Sequence, residues 1–170
     1  MGAREVSIRW VTGREDLGGA LALRERVFCG EQGVPRSLEL DGLDDLADHL
    51  LAVCVDTGEP VGTLRVLTGA HEAKIGRVAV ARDWRGRGIA SQMLASALSL
   101  ACARECSRAR LAAQLEATAL YERAGFSVDS PPFEEAGIAH VWMSRRLAPA
   151  GPIGADVPPR MSSSSPRSRL

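Results

Sequence analysis

Residues 85–90 read Arg-Gly-Arg-Gly-Ile-Ala, and they combine three features that suit a phosphate. Gly86 and Gly88 carry no Cβ, so the backbone there can approach a ligand closely. Arg85 and Arg87 add guanidinium groups, whose forked donors match phosphate oxygens. Ile89, Ala90 and Ser91 begin an apolar helical pattern, and a helix start leaves backbone N–H groups unpaired at the positive end of its dipole. The plainer alternative is a solvated basic turn. Two phosphate-binding motifs do not fit. The dinucleotide fingerprint needs a third glycine where Ser91 stands, and a strand ending in an acid about 20 residues later, which is missing. The nucleotide-triphosphate loop needs Gly-Lys-Ser/Thr, which is also missing.

The turn must be held by the elements on either side. Residues 74–80 form an apolar strand pattern before it, and residues 89–104 a helix after it. Further strands are expected at residues 6–11, 50–55, 61–67, 110–113, 126–129 and 139–147. Helices are expected at residues 16–28 and 115–123, with Gly125 as the residue that ends the second. Residues 31–49 read as an irregular acidic stretch, and residues 56–60 as a turn joining a hairpin. Pro131 and Pro132 forbid ladder pairing where they stand. The order β-α-loop-β-β-β-α-β-α-β-β predicts an α+β (mixed α/β) layer rather than alternating βαβ units. From residue 148 onward Pro, Ser and Arg dominate, so residues 1–147 are expected to form one domain and residues 148–170 a disordered tail.

Composition narrows the function. The chain has 170 residues, long enough for one well-cored domain. Twenty-one basic residues balance twenty-one acidic ones, so nothing draws the protein to nucleic acid or to an anionic membrane. No apolar run reaches the ~20 residues that span a bilayer, and Arg4, Glu5 and Arg9 interrupt any signal-peptide core. A cytoplasmic protein is expected, as a monomer or a homodimer. The four cysteines form no Cys-x-x-Cys, and Cys102 and Cys106 read as packing residues rather than metal ligands. The acids of residues 39–48 lack the glycine and terminal glutamate of a calcium loop, so no metal is expected.

The turn is Arg85-x-x-Gly88-x-Ala90, and a second pattern follows it: Gln114, Ala117, Leu120, Tyr121, Glu122, Gly125 and Phe126. Together they resemble the GCN5-related N-acetyltransferases (GNAT). Upstream, Arg24-x-x-Val27-Phe28, Glu31-Gln32, Glu39-x-Asp41-x-x-Asp44, His49 and Gly62-x-x-Arg65 resemble the ElaA/YjcF-like branch. Some of these elements also resemble acyl-homoserine-lactone synthases, which lack the regular turn and the Tyr-Glu-x-x-Gly-Phe helix end. The resemblance implies a twisted mixed sheet of about seven strands flanked by helices, splayed between the fourth and fifth strands. It implies acetyl-CoA as cosubstrate and a primary amine of a small molecule or peptide as acceptor. A non-catalytic acyl-CoA-binding regulator is the alternative of a different class.

By that resemblance, the turn residues Arg85, Gly86, Arg87, Gly88, Ile89, Ala90 and Ser91 bind pyrophosphate, and the backbones of Val78 and Val80 pair with the pantetheine arm. The N–H of Val78 would polarise the thioester. Gln114 is either a ligand of the pantetheine or a polar residue at a helix start. Tyr121 is the general acid, or else a core aromatic bonded to backbone. The general base stays open among Glu39, Asp41, His49 and His140. Glu39, Asp41, Asp44, Asp45 and Asp48 either receive a cationic amine or pair with Arg24, Arg26 and Arg65, and the ion-pair network is the safer expectation. Arg65 and His140 complete the expected acceptor pocket, with His140 expected to be structural.

Overall fold

The protein is described by a computed structural model over residues 4–148. The residues beyond 148, where a tail is expected, lie outside the described part. Strand β1 (Val6–Trp10) leads to helix α1 (Arg14–Arg24), which runs on as a π-helix (Glu25–Glu31). A short helix α2 (Arg36–Glu39) and a 3-10 turn (Asp44–Leu46) precede strands β2 (Asp48–Cys54), β3 (Pro60–Thr68) and β4 (Glu72–Val80). Helix α3 (Ile89–Ala103), strand β5 (Arg108–Gln114), helix α4 (Thr118–Arg123) and strands β6 (Ser127–Val128), β7 (Phe133–Glu135) and β8 (Ile138–Arg146) follow.

The strands form one mixed sheet in the order β1-β2-β3-β4-β5-β8-β6, with β7 also on β8. The described residues hold eight strands where about seven are expected. The extra one, β7, starts just past Pro131 and Pro132 and pairs back on β8 through Ala136 and Gly137. Both turn residues have positive φ (52° and 75°), the geometry of a tight hairpin. Ala-Gly is a weak signal for that turn, because alanine is disfavoured at positive φ. The first helix also differs from expectation: it begins earlier and changes pitch at Glu25 rather than ending near Phe28. The acidic stretch holds two short helical turns.

Alternation along β2 decides the two faces of the sheet. Leu51 and Val53 pack with Ala20 of α1, whereas Leu50, Ala52 and Cys54 join the main core with Met93, Leu94 and Ala97 of α3. At Gly62 of β3 a Cβ would lie 3.0–3.2 Å from Ile89, Met93 and Ala52, so glycine permits α3 to sit this close.

Two irregularities of β4 open the sheet. Thr63 pairs with Ala79 but Arg65 pairs with Gly76, so Arg77 and Val78 together oppose Leu64 in a bulge. Arg77 takes φ 53° there. On its other edge β4 is parallel to β5 only from Glu72 to Lys74, opposite Arg108 to Arg110. Beyond that point the two strands diverge. β5 instead keeps a full antiparallel register with β8, which ends with Gln114 opposite His140.

Candidate active site

A cavity of about 670 Å³ occupies this divergence. Its lining takes in β4 from Lys74 to Val80, β5 at Leu111, Ala112 and Gln114, and β8 at Ile138, His140 and Trp142. The 85–91 turn and α4 close one side of it, and the 38–41 loop with Arg65 closes another.

The turn is built as a donor cradle. Gly86 and Gly88 have φ 73° and 77°, and a Cβ at either would meet nothing within 4 Å, so the surface above them is open. Gln92 makes the first helical bond, to the Gly88 carbonyl at 3.1 Å. Among the described residues, no group outside the helix accepts a bond from the amides of residues 86–91. Such amides, with the helix dipole behind them, fit a pyrophosphate. The two arginines of the turn are otherwise engaged. Arg85 donates to the Val80 carbonyl at 3.0 Å and to Glu31 at 2.7 Å. Arg87 lies over the Trp84 ring at 4.8 Å, bonds the Asp83 carbonyl, and is outside the cavity lining.

The backbone of β4 turns groups that no strand pairs toward the same space, although the Val80 carbonyl already takes the bond from Arg85. The Ala81 N–H bonds Val61 on β3, so Ala79 and Ala81 direct their main chain to β3. By alternation, Val78 and Val80 direct theirs to the splay, where no strand pairs with them. Their side chains pack against the core. Gln114 stands at the mouth and donates to Gln32 of the π-helix end at 2.9 Å.

Tyr121 lines the cavity from α4 with only 7 % of its surface exposed. Its ring packs edge-on against Phe126, centroids 6.3 Å apart. Among the described residues, no hydrogen bond reaches its hydroxyl. Burial pushes the phenol up to about 12, so it keeps its proton at working pH. The helix is fixed just behind it: Phe126 N–H bonds the Tyr121 carbonyl and Gly125 N–H bonds Glu122, both at 3.0 Å. With Gly125 at φ 85°, this is a Schellman ending.

The acids of the loop form an ion-pair network. Arg24, fully buried, donates to Glu39 and in a fork to Asp44 (2.6 and 3.2 Å). Arg65 forks onto Asp41 (2.8 and 2.7 Å) and reaches Asp44 at 3.0 Å. Arg77, brought in by its bulge, bonds the Glu39 carbonyl and lies 3.5 Å from the Glu39 carboxylate and 3.3 Å from Asp41. Bonds from Arg65 hold Asp41 far below the usual carboxylate range. Burial alone would raise Asp44, but Arg24 and Arg65 outweigh it and hold it low. Buried His49 donates from Nε2 to the Asp44 carbonyl at 2.9 Å, and burial lowers its pKa. The expected membership needs three corrections. Arg26 lies at the surface, 4.0 Å from Glu59. Asp48 pairs with Arg104. Asp45 joins none of the pairs with Arg24, Arg65 or Arg77.

Glu39, Asp41, Arg65 and His140 all reach the cavity, as does Arg77, which residue types alone do not single out. Its signal in the sequence is Gly76, a glycine inside a strand pattern, which marks a bulge. On β8, His140 stacks on Phe133 (5.8 Å, 21°), and Phe133 on Trp142 (5.7 Å, 25°). No grouping of three or more His, Cys, Asp or Glu that could hold a metal occurs among the described residues, and none of their helices is long and apolar enough to cross a membrane.

Residues 24–147 match the family model described as an acetyltransferase (GNAT) domain. The uncharacterised N-acetyltransferase YjcF of Bacillus subtilis is 32 % identical over 132 residues, 77 % of this chain and 93 % of that protein. The crystal structure of Escherichia coli ElaA superposes with TM-score 0.74 at 28 % identity, over 83 % of this chain and 99 % of ElaA. An acyl-CoA N-acyltransferase from Pseudomonas aeruginosa gives TM-score 0.73 at 31 % identity, over 82 % and 99 %.

Proposed function

Because the chain belongs to the GNAT acetyltransferase family and is an acyltransferase, we propose that it moves an acetyl group from acetyl-CoA to a primary amine of a small molecule or peptide in the cytoplasm. The observation that carries this reading is one cavity in which open turn amides, an unpaired strand edge and a buried tyrosine converge. The amides of residues 86–91 hold the pyrophosphate. The free edge of β4 at Val78 and Val80 takes the pantetheine arm as a further strand would be taken, and Gln114 guards its mouth. The Val78 N–H faces the thioester oxygen, and a preorganised donor of this kind contributes about 3 kcal/mol in a dry site. Tyr121 donates to sulfur as negative charge develops there.

The acceptor enters beside Glu39, Asp41, Arg65 and Arg77. Three guanidinium groups there face three carboxylates, so this wall holds its shape without net charge. A wall of fixed, matched charges positions an amine more than it attracts one. Titration calorimetry with acetyl-CoA, followed by thiol release across a panel of amines, tests the proposal. Binding at one site with amine-dependent release is expected. Binding without release over the panel favours a regulatory acyl-CoA-binding module, and no binding removes the reading.

A further inference from the structure

Resting on the N-acyltransferase reading above, we infer that His140 is the general base, taking the proton of the acceptor's ammonium on Nε2. Nδ1 lies 2.7 Å from the carbonyl oxygen of Ile138. A carbonyl only accepts, so Nδ1 carries the hydrogen. A neutral imidazole has one N–H, and Nε2 is left with its lone pair. Nε2 has no hydrogen-bond partner among the described residues, and it is not sealed from solvent. His140 lines the cavity, and with Nδ1 turned to Ile138, Nε2 is the ring nitrogen left to face it.

The ring is also held in place. It is 9 % exposed and stacked on Phe133. In register it stands opposite Gln114 on one side and Phe133 on the other, at the end of β5 where the splay is open. A fixed tautomer, a fixed plane and a lone pair toward the acceptor space are what a base requires.

The rival bases are committed elsewhere. Glu39 faces Arg24 and Arg77, and Asp41 faces Arg65, which holds its carboxyl low and makes it a poor proton acceptor. His49 spends Nε2 on the Asp44 carbonyl, its Nδ1 is sealed, and it is not in the cavity lining. His71 lies on the surface outside the lining. Glu135 reaches the lining from the β7–β8 hairpin, but it is exposed to water there.

The steps balance. The ammonium N–H bond breaks, its electron pair stays on nitrogen, and the proton moves to Nε2. The neutral amine forms the C–N bond as the C–S bond breaks. Sulfur takes the Tyr121 proton, and the phenolate recovers one from the attacking nitrogen. The imidazolium returns its proton to water. The sum is ammonium plus acetyl-CoA giving amide, free CoA thiol and one proton.

The test compares the intact protein with His140→Ala and Glu135→Gln, using acetyl-CoA with benzylamine (an ammonium near neutral pH) and with aniline (already neutral there). Amide is read by mass spectrometry, with and without added imidazole, and the imidazole tautomers of the unsubstituted protein by nitrogen-15 NMR. His140→Ala should lose about 100-fold with benzylamine, much less with aniline, and imidazole should restore part of the loss. The spectrum should place the His140 hydrogen on Nδ1. Equal losses on both amines without imidazole rescue, or a hydrogen on Nε2, overturn the inference. So does a Glu135→Gln loss that matches His140→Ala. Transfer by the unsubstituted protein with His140→Ala unimpaired overturns the base alone. Transfer to neither amine by any variant overturns the acyl-transfer reading and the base with it.

Discussion

Replacing Tyr121 by phenylalanine removes one oxygen and little else. The hydroxyl has no hydrogen-bond partner among the described residues, and the ring keeps its edge-on contact with Phe126. No buried partner is orphaned, so stability should change by less than about 1 kcal/mol. Turnover should respond very differently. A preorganised donor facing charge that develops only in the transition state is worth about 10²–10³ in kcat, or about 2.7–4 kcal/mol. The ground-state thioester carries no such charge, so acetyl-CoA binding should stay within about twofold. Because the phenol is raised to about 12, no alkaline fall in rate from its ionisation is expected below about pH 10. The assay is thiol release under saturating acetyl-CoA, with calorimetric affinity and a thermal melt on the same samples. Turnover within about threefold of the unsubstituted protein would refute the donor role. A large loss of acetyl-CoA affinity would refute it too, by showing a binding residue instead.

Three further predictions concern the frame of the site. Arg24→Met should cost about 3 kcal/mol in urea unfolding, the lower end for a broken buried pair, because Arg77 still faces Glu39 and Arg65 still faces Asp44; a loss under about 1 kcal/mol contradicts the network. Acid should destabilise the fold in two stages. His49 is depressed from 6.5 and Asp41 and Asp44 from 3.8, so the unfolded chain takes up protons before the folded one, first below about pH 6.5 and then below about pH 4. Urea midpoints should be full above the upper value and fall through both windows, and a flat profile down to about pH 4 contradicts the His49 contribution. Gly125→Ala must hold φ 85° with a Cβ 3.2 Å from Arg145, so it should cost about 1–2 kcal/mol, read as a lower thermal midpoint.

What could be read in advance follows from how local each signal is. Residues 85–91 and 121–126 are continuous stretches whose glycines and tyrosine carry their meaning within a few positions, so the turn and the end of α4 stand where the sequence puts them. The order of strands and helices is likewise legible from periodicity. The network is less so. Arg24, Arg65 and Arg77 reach the loop from three elements; Gly76 marks a bulge beside Arg77 but not which acids it meets, and nothing local separates Asp44 from Asp45. The choice is made by the bulge at Arg77 and by the 3-10 turn at Asp44, both consequences of tertiary packing. The role inferred for His140 is similar. The lone pair depends on how β8 turns the nearby Ile138 carbonyl to Nδ1 and on Phe133 from a strand that two prolines conceal, neither of which residue types reveal.

On the proposed reading, the splay between β4 and β5 receives the CoA thioester. A crystal structure of the protein with CoA tests it most directly. The pyrophosphate is predicted on the amides of residues 86–91, the pantetheine along Val78 and Val80, and the sulfur within hydrogen-bond reach of the Tyr121 hydroxyl. CoA bound away from the turn, or a sulfur pointing out of the cavity, would contradict it.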